Sequence, residues 1–171
     1  MQACLDWGVD IVNDVWALRQ PGAEQVVAGH PRCGVCLMHM HRDPQTMQTQ
    51  PMTGDVLTEV DAFLRGRVNA LLGRGVSATR VVLDPGIGFG KTVAQNFQLL
   101  ARQSDLLHMG FPLLAGWSRK SALGAVLAPD GQVPEPGQRQ VASVAAALMA
   151  VERGASVVRV HDVKCTVDAL K

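Results

Sequence analysis

Five short apolar runs alternate with longer helix-like stretches along this chain, and that beat restricts the folds open to it more than any other feature. The runs are Val9 to Val15, Gly34 to Met40, Val81 to Leu83, Pro112 to Ala115 and Val157 to Val160. Each is too short for a globular helix and carries the β-branched or bulky apolar residues of strands buried on both faces. The stretches between them, Ala23 to Ala28, Asp55 to Leu72, Ala94 to His108 and Val141 to Arg153, read as helices. In the second, Val56, Val60, Phe63, Leu64, Val68, Leu71 and Leu72 recur at spacings of three and four and line one face. Glycines fall where helices should end, at Gly29, Gly73 with Gly75, Gly110 and Gly154. Strand and helix alternate throughout, which predicts a parallel sheet.

Such a sheet fits either a small open doubly wound fold or part of a (β/α)8 barrel, and the placement of polar residues separates the two. In barrels the chemistry collects at the C-terminal ends of several strands. Here the apolar runs end in Asn13-Asp14, in His39 and His41, in Asp84, in Ser118-Arg119-Lys120-Ser121, and in Arg159 with His161-Asp162. Polar groups at the same end of every strand predict one shared site.

The glycine-rich stretch after the third run, "LDPGIGFGKT" at 83 to 92, invites a nucleotide reading and fails it. A phosphate-cradling loop of the Walker type needs a glycine five residues before its last one, and that position is Pro85, which lacks an N–H and fixes its own φ. The dinucleotide pattern fails as well, because Lys91 stands where its third glycine belongs. What remains is a strand that delivers Asp84 to its end, followed by a flexible loop. A second loop, residues 128 to 138, is rich in Pro and Gly and is expected to be mobile on the site side.

The totals narrow the function further. A chain of 171 residues, 47% hydrophobic, suits one domain over 1–171 with a real core. Its net charge of +1, with no basic run, offers no general attraction to nucleic acid or anionic lipid, so an anion needs a local site. No stretch reaches the roughly 18 apolar residues of a membrane span, and the start lacks a secretory pattern, so a soluble cytoplasmic protein is expected. Of the cysteines Cys4, Cys33, Cys36 and Cys165, the Cys33/Cys36 pair has no second pair at zinc spacing. Reduced structural thiols are the expected reading.

Five segments, "IVNDVWAL" at 11 to 18, "VCLMHM" at 35 to 40, "LDPGIGFGKT" at 83 to 92, "GWSRKS" at 116 to 121 and "VVRVHDV" at 157 to 163, resemble in order and spacing the dihydropteroate synthase family. The resemblance runs through the whole chain. It implies an incomplete (β/α)8 TIM barrel, with these strands as the fourth to eighth, since such barrels run to about 250 residues. Three further strands and two mobile loops would lie before Met1, together with another pterin-binding aspartate. The chain alone is accordingly expected to turn over weakly or not at all.

That family joins 6-hydroxymethyl-7,8-dihydropterin diphosphate to p-aminobenzoate and releases diphosphate. By resemblance, Asp84 accepts the donor pair on the pterin edge, Asn13 meets the remaining edge with Asp14 behind it, and Met38, Phe89 and Gly116 lie against the ring. Lys120 serves pterin and amine alike, and Ser121, opening a helix-like run to Leu127, holds the aminobenzoate carboxylate. Arg159 and His161, alternating along the last strand, form the diphosphate site, with an inward ion pair to Asp14 or Asp84 as the alternative. Lys120, Arg159 and His161 are thus the candidate catalytic groups. Magnesium is implied as a companion of the diphosphate, with its ligand outside this chain. His39 and His41 share a face, but two histidines make a weak metal site, so packing or supporting roles are expected. Trp117 is expected to narrow the approach of the aminobenzoate. Small-molecule substrates, sulfonamides as competitors and a homodimer complete the implied picture. Methyltetrahydrofolate-dependent methyltransferase barrels are the nearest rival, yet no diphosphate leaves in their reaction and neither the Ser118–Ser121 block nor the Arg159/His161 pair is needed. A non-catalytic truncated pterin-binding module is the other.

Overall fold

In the computed structural model, which describes residues 1–47, 49–128 and 130–171, the alternating runs become five parallel strands. Pro129, in the second expected loop, lies outside the described residues. In chain order the elements are α1 (Gln2–Asp6), β1 (Ile11–Asp14), α2 (Ala23–Gly29), β2 (Gly34–Met38), α3 (Val56–Leu72), β3 (Val81–Asp84), α4 (Val93–Ala101), β4 (Leu113–Ala115), α5 (Ser121–Val126), α6 (Gln140–Glu152), β5 (Ala155–Val158) and α7 (Val163–Leu170). Local signals set the helix starts. The Asp55 side chain accepts from Thr58 N at the head of α3, and Thr92 and Gln95 form a reciprocal capping box on α4.

The strands lie in the order β1-β2-β3-β4-β5, each bonded to its sequence neighbour. A doubly wound sheet reverses order at a switch point, whereas a barrel adds strands in sequence. Sequential parallel order therefore makes this an arc of a (β/α)8 barrel, helices on one face and the barrel interior on the other.

Register assigns side chains to the two faces. Val35 pairs with Val81 and Leu37 with Leu83, and all four join the buried cluster that holds Val60 and Leu64 of α3 and Leu99 of α4. This is the helix side. The alternate residues pair as Asn13 with Cys36, Cys36 with Val82, and Met38 with Asp84, so they share the interior face. Cys36 and Met38 are buried there, outside the helix-side cluster.

Four expected elements shift by two residues or more. β1 and β2 are shorter than the runs Val9 to Val15 and Gly34 to Met40, because their pairing begins at Ile11 with Gly34 and β2 pairs no further than Met38 with Asp84. The last strand is Ala155–Val158 rather than Val157 to Val160: Gly154, at φ +89°, turns the chain straight out of α6 and Ala155 pairs at once with Leu113. The helix expected over Ala94 to His108 breaks at Arg102, and Gln103–Met109 continues as a tighter 3-10 segment. Buried Gln103 explains the break, since its amide donates to Ala150 O at 2.8 Å and Arg153 O at 3.2 Å, closing the end of α6.

Candidate active site

The interior face and the rim above it gather most of the expected site residues. Asp84 ends β3 with 4% of its surface exposed, and its Oδ1 accepts from Gly86 N at 2.7 Å. The other oxygen meets no protein donor, and no cation reaches ion-pair distance of Asp84 among the described residues. Burial pushes this carboxyl above its usual range, against the pull of the Gly86 N–H and of Lys91, Lys120 and Arg159.

Lys120 reaches in from the turn after β4. Its Nζ stands 4.3 Å above the centre of the Phe89 ring, and the stem packs on Gly88, where a β-carbon would lie 3.3 Å from Lys120 Cδ. Burial, then neighbouring Arg159, lowers the pKa of this ammonium, while Asp84 raises it. Arg159 follows β5 and prolongs its ladder by one bond, N to Ala115 O at 3.1 Å. Its guanidinium lies over Gly116, where an added β-carbon would be 3.2 Å from one nitrogen. The alternative ion pair with Asp14 or Asp84 does not form. Asp14 instead binds Trp16 N and Leu18 N in its own turn.

Other expected residues stand further out. Asn13 is exposed on the outermost strand, and Ser121 is exposed at the first position of α5, a helix of six residues. His161 lies beyond the strand, so the alternation expected to pair it with Arg159 along β5 does not apply; Ser118 holds it instead, at 3.1 Å to its N and 2.9 Å to Nδ1. Trp117 does not narrow any approach to the site. It continues the helix-side alternation of Leu113 and Ala115, is 1% exposed, and packs on Phe97 with ring centres 5.4 Å apart.

Two residues matter more here than their sequence suggests. Lys91, the lysine of the failed nucleotide loop, is 6% exposed and bonds His39 Nδ1 at 2.8 Å, Gly86 O at 2.9 Å and Phe89 O at 3.3 Å. Burial lowers its pKa to about 7 against the opposing pull of Asp84. A lysine directly after a glycine-rich strand-end loop was the available signal. Arg119 has φ +60°, rare for a residue with a side chain; Ser143 accepts from its N–H, Arg139 donates to its carbonyl, and Asp162 pairs with its guanidinium at 2.9 Å. The turn that aims Lys120 is thus braced from α6 and from the rim after β5.

His39 and His41 serve different neighbours. His39 packs edge-on against Phe63 at 5.0 Å, and burial, then Lys91, pushes its pKa down to about 2. His41 accepts from Arg42 Nε at 3.3 Å. The described residues contain no group of three His, Cys, Asp or Glu placed to hold a metal. Asp84, the carboxylate of the site, is surrounded by cations, so the donor set does not fit a hard divalent ion. Cys33 and Cys36 are free buried thiols, and burial followed by the Asp84 charge pushes Cys36 up to about 12.

The His39 environment carries a stability consequence. Its folded pKa lies below the usual 6.5, so the unfolded chain takes up the proton first as pH falls. Stability is lost from pH 6.5 downward, by up to about 1.4 kcal/mol per pH unit for this one group. Thermal midpoints measured from pH 7 to 4 should fall less steeply in His39→Gln than in wild type. Equal slopes would remove the assignment.

With this geometry in view, comparison with known proteins is direct. Residues 1–161 match the family of pterin binding enzymes. The chain is 43% identical over 171 residues to the dihydropteroate synthase of Haemophilus influenzae, covering all of itself and 60% of that relative. The dihydropteroate synthase structure from Stenotrophomonas maltophilia superimposes with a TM-score of 0.93 at 46% identity, over 99% of this chain and 62% of the other. That of Xanthomonas albilineans in complex with 7,8-dihydropteroate gives 0.88 at 46% identity, over 99% and 62%. The chain therefore spans about three-fifths of the length of the proteins it matches. No helix among the described residues is long and apolar enough to cross a membrane. A sequential parallel arc whose rim presents Asp84, Lys120 and Arg159, matched over nearly its whole length, belongs to the pterin-binding enzyme family.

Proposed function

We propose that the protein acts as a dihydropteroate synthase of folate biosynthesis, joining 6-hydroxymethyl-7,8-dihydropterin diphosphate to p-aminobenzoate with release of diphosphate. The observation that carries this reading is Asp84: a buried carboxylate with one oxygen held by Gly86 N–H, the other open, and three cations near it, none in ion-pair contact. Such a carboxylate lacks donors, and a pterin edge brings an amino group and a ring N–H side by side. Met38 beside Asp84 and the Phe89 ring supply apolar surface for a flat ring, and Gly116, lacking a side chain, leaves room for the Arg159 guanidinium next to it. Asn13 takes the other edge. Ser121 meets the aminobenzoate carboxylate, Lys120 serves pterin and amine alike, and Arg159 and His161 take the diphosphate.

The chemistry asks these residues for charge and position. The bond between the pterin methylene carbon and the diphosphate oxygen breaks, its electron pair leaving with oxygen, and the ring shares the positive charge left behind. The amine lone pair then closes the new C–N bond, and its proton passes to solvent or to the departing diphosphate. Arg159, free of any ion pair among the described residues, stabilises the developing anion, and Lys120 holds the amine in line. A magnesium ion accompanies the diphosphate in this reading; the described residues hold no group of three His, Cys, Asp or Glu that could cage it. Sulfonamides, as aryl amines, compete for the place of p-aminobenzoate. A cytoplasmic homodimer belongs to the same proposal.

Calorimetric titration of the chain with 6-hydroxymethylpterin and diphosphate tests the site. A version extended to the relatives' length, assayed beside it for dihydropteroate formation, tests the reaction. We expect both ligands to bind and the extended version to turn over much faster, because β1 and β5 each have an edge with no strand beside it among the described residues. Affinity for methyltetrahydrofolate without affinity for diphosphate would favour the methyltransferase reading instead.

A further inference from the structure

We infer that Lys91 is a positioning residue of this site: its ammonium clamps the end of β2 to the turn after β3 and thereby fixes the open oxygen of Asp84 and the Phe89 ring for the ligand. This rests on the reading of Asp84 and Phe89 as pterin contacts.

An ammonium has three protons, and here all three are committed: to His39 Nδ1 at 2.8 Å, Gly86 O at 2.9 Å and Phe89 O at 3.3 Å. The first acceptor follows β2 and the other two bound the turn that follows β3. That turn is closed by Phe89 N to Gly86 O at 3.1 Å, and Asn96 Oδ1 receives Gly88 N at 2.7 Å. Gly86 is therefore gripped twice, its N–H by Asp84 and its carbonyl by Lys91. Losing the lower grip frees the turn to swing, and with it the donor that orients the Asp84 carboxylate and the ring under Lys120. Lys91 does not touch a ligand itself, since it is buried and has no proton to spare. A guanidinium is planar and cannot aim donors at three acceptors arranged around one point, so arginine is no substitute. The arrangement also requires the His39 tautomer with its proton on Nε2, because Nδ1 must accept.

The test begins with the full chain free of ligand. Nitrogen-15 spectra of the histidine rings should show His39 neutral, protonated at Nε2, with a hydrogen-bonded Nδ1; a proton on Nδ1 in wild type overturns the clamp before any variant is made. Lys91→Met keeps the volume and removes the charge. In it, His39 should titrate at higher pH, because one of the cations around its ring, Lys91 beside His41 and Arg19, has gone. The Gly86 and Phe89 amides should lose protection from hydrogen exchange, and affinity for 6-hydroxymethylpterin should fall at least tenfold, with Lys91→Arg failing to restore it. Wild-type pterin affinity in a variant whose His39 titration has moved overturns the inference. If wild type binds no pterin, the functional reading falls alone, and the clamp is decided by amide protection: retained protection in Lys91→Met refutes it, and lost protection upholds it. Should Lys91→Met fail to fold, Lys91→Gln and the wild-type histidine spectrum decide the same question.

Discussion

Replacing Gly86 with alanine is expected to lower the thermal midpoint by about 10 °C, whereas the same change at Gly75 lowers it by only about 3 °C. Both glycines have positive φ, +71° at Gly86 and +80° at Gly75, so both replacements meet the left-handed penalty of roughly 1–2 kcal/mol for a residue with a β-carbon. They differ in what surrounds that carbon. At Gly75 nothing lies within 4 Å. At Gly86 the new methyl is driven into the carbonyl oxygen of His39 and stands 2.9 Å from its carbonyl carbon, and both are backbone atoms. No rotamer relieves that collision, so β2 and β3 must part where His39 N bonds Asp84 O at 2.9 Å. Overpacking of this kind costs about 1–3 kcal/mol on top of the backbone term. Differential scanning calorimetry on the two variants isolates the contact, and equal losses would show that only φ matters.

The glycines of this loop illustrate what could be read from the letters. Three positive-φ glycines within five residues, Gly86, Gly88 and Gly90, follow a strand-end aspartate; the letters predict a loop beside that carboxylate, though a flexible one, whereas Phe89 N to Gly86 O closes it as a tight turn. Strand existence was equally legible, because parallel strands covered on both faces are written as continuous apolar runs. Strand limits were not. The run Val157 to Val160 carries three valines, yet the chain pairs at Ala155, since Gly154 and the register with Leu113 decide where the ladder begins. Helix α1 escaped notice because five residues with only Leu5 buried show no period. The break at Arg102 was hidden for a different reason: it depends on Gln103 reaching α6, a contact 47 positions away in the chain.

Site residues divided along the same line. Asp84, Lys120 and Arg159 could be placed from strand ends and resemblance, since each sits at or just beyond a ladder. Trp117 was misjudged because alternation past Ala115 puts it on the helix side, where size helps to fill the core. Lys91 carries no sequence signal beyond its nucleotide-like loop, and Arg139 and Ser143 carry none at all. Their roles are to hold backbone atoms of distant turns, and sequence spacing carries no trace of such contacts.

Asp84→Asn should separate the demands of binding from those of stability. Asparagine keeps the shape and can still accept the Gly86 N–H on its oxygen. Its amide nitrogen, however, presents donors toward a ligand edge that also consists of donors, and no negative charge remains to strengthen either bond. Two hydrogen bonds to a charged group are worth about 1.5–3 kcal/mol each, so pterin affinity should fall at least about 100-fold. The fold should respond in the opposite sense. The carboxyl pKa in the folded state is raised above its unfolded value of 3.8, so the folded protein binds this proton more readily than the unfolded chain does. Ionised Asp84 accordingly costs stability in full above its folded pKa, and the cost is relieved as pH falls through that value and is gone below 3.8. A neutral isostere removes that cost, although Lys91 and Lys120 lose the anion that helps to keep them charged. Because burial outweighs the summed pull of the three cations at Asp84, the net effect at pH 7 should be a thermal midpoint equal to or above that of wild type. Calorimetric titration with 6-hydroxymethylpterin and a melting curve on the same sample read both effects. A variant that still binds, or that loses binding only because it unfolds, would move Asp84 from ligand recognition to scaffolding.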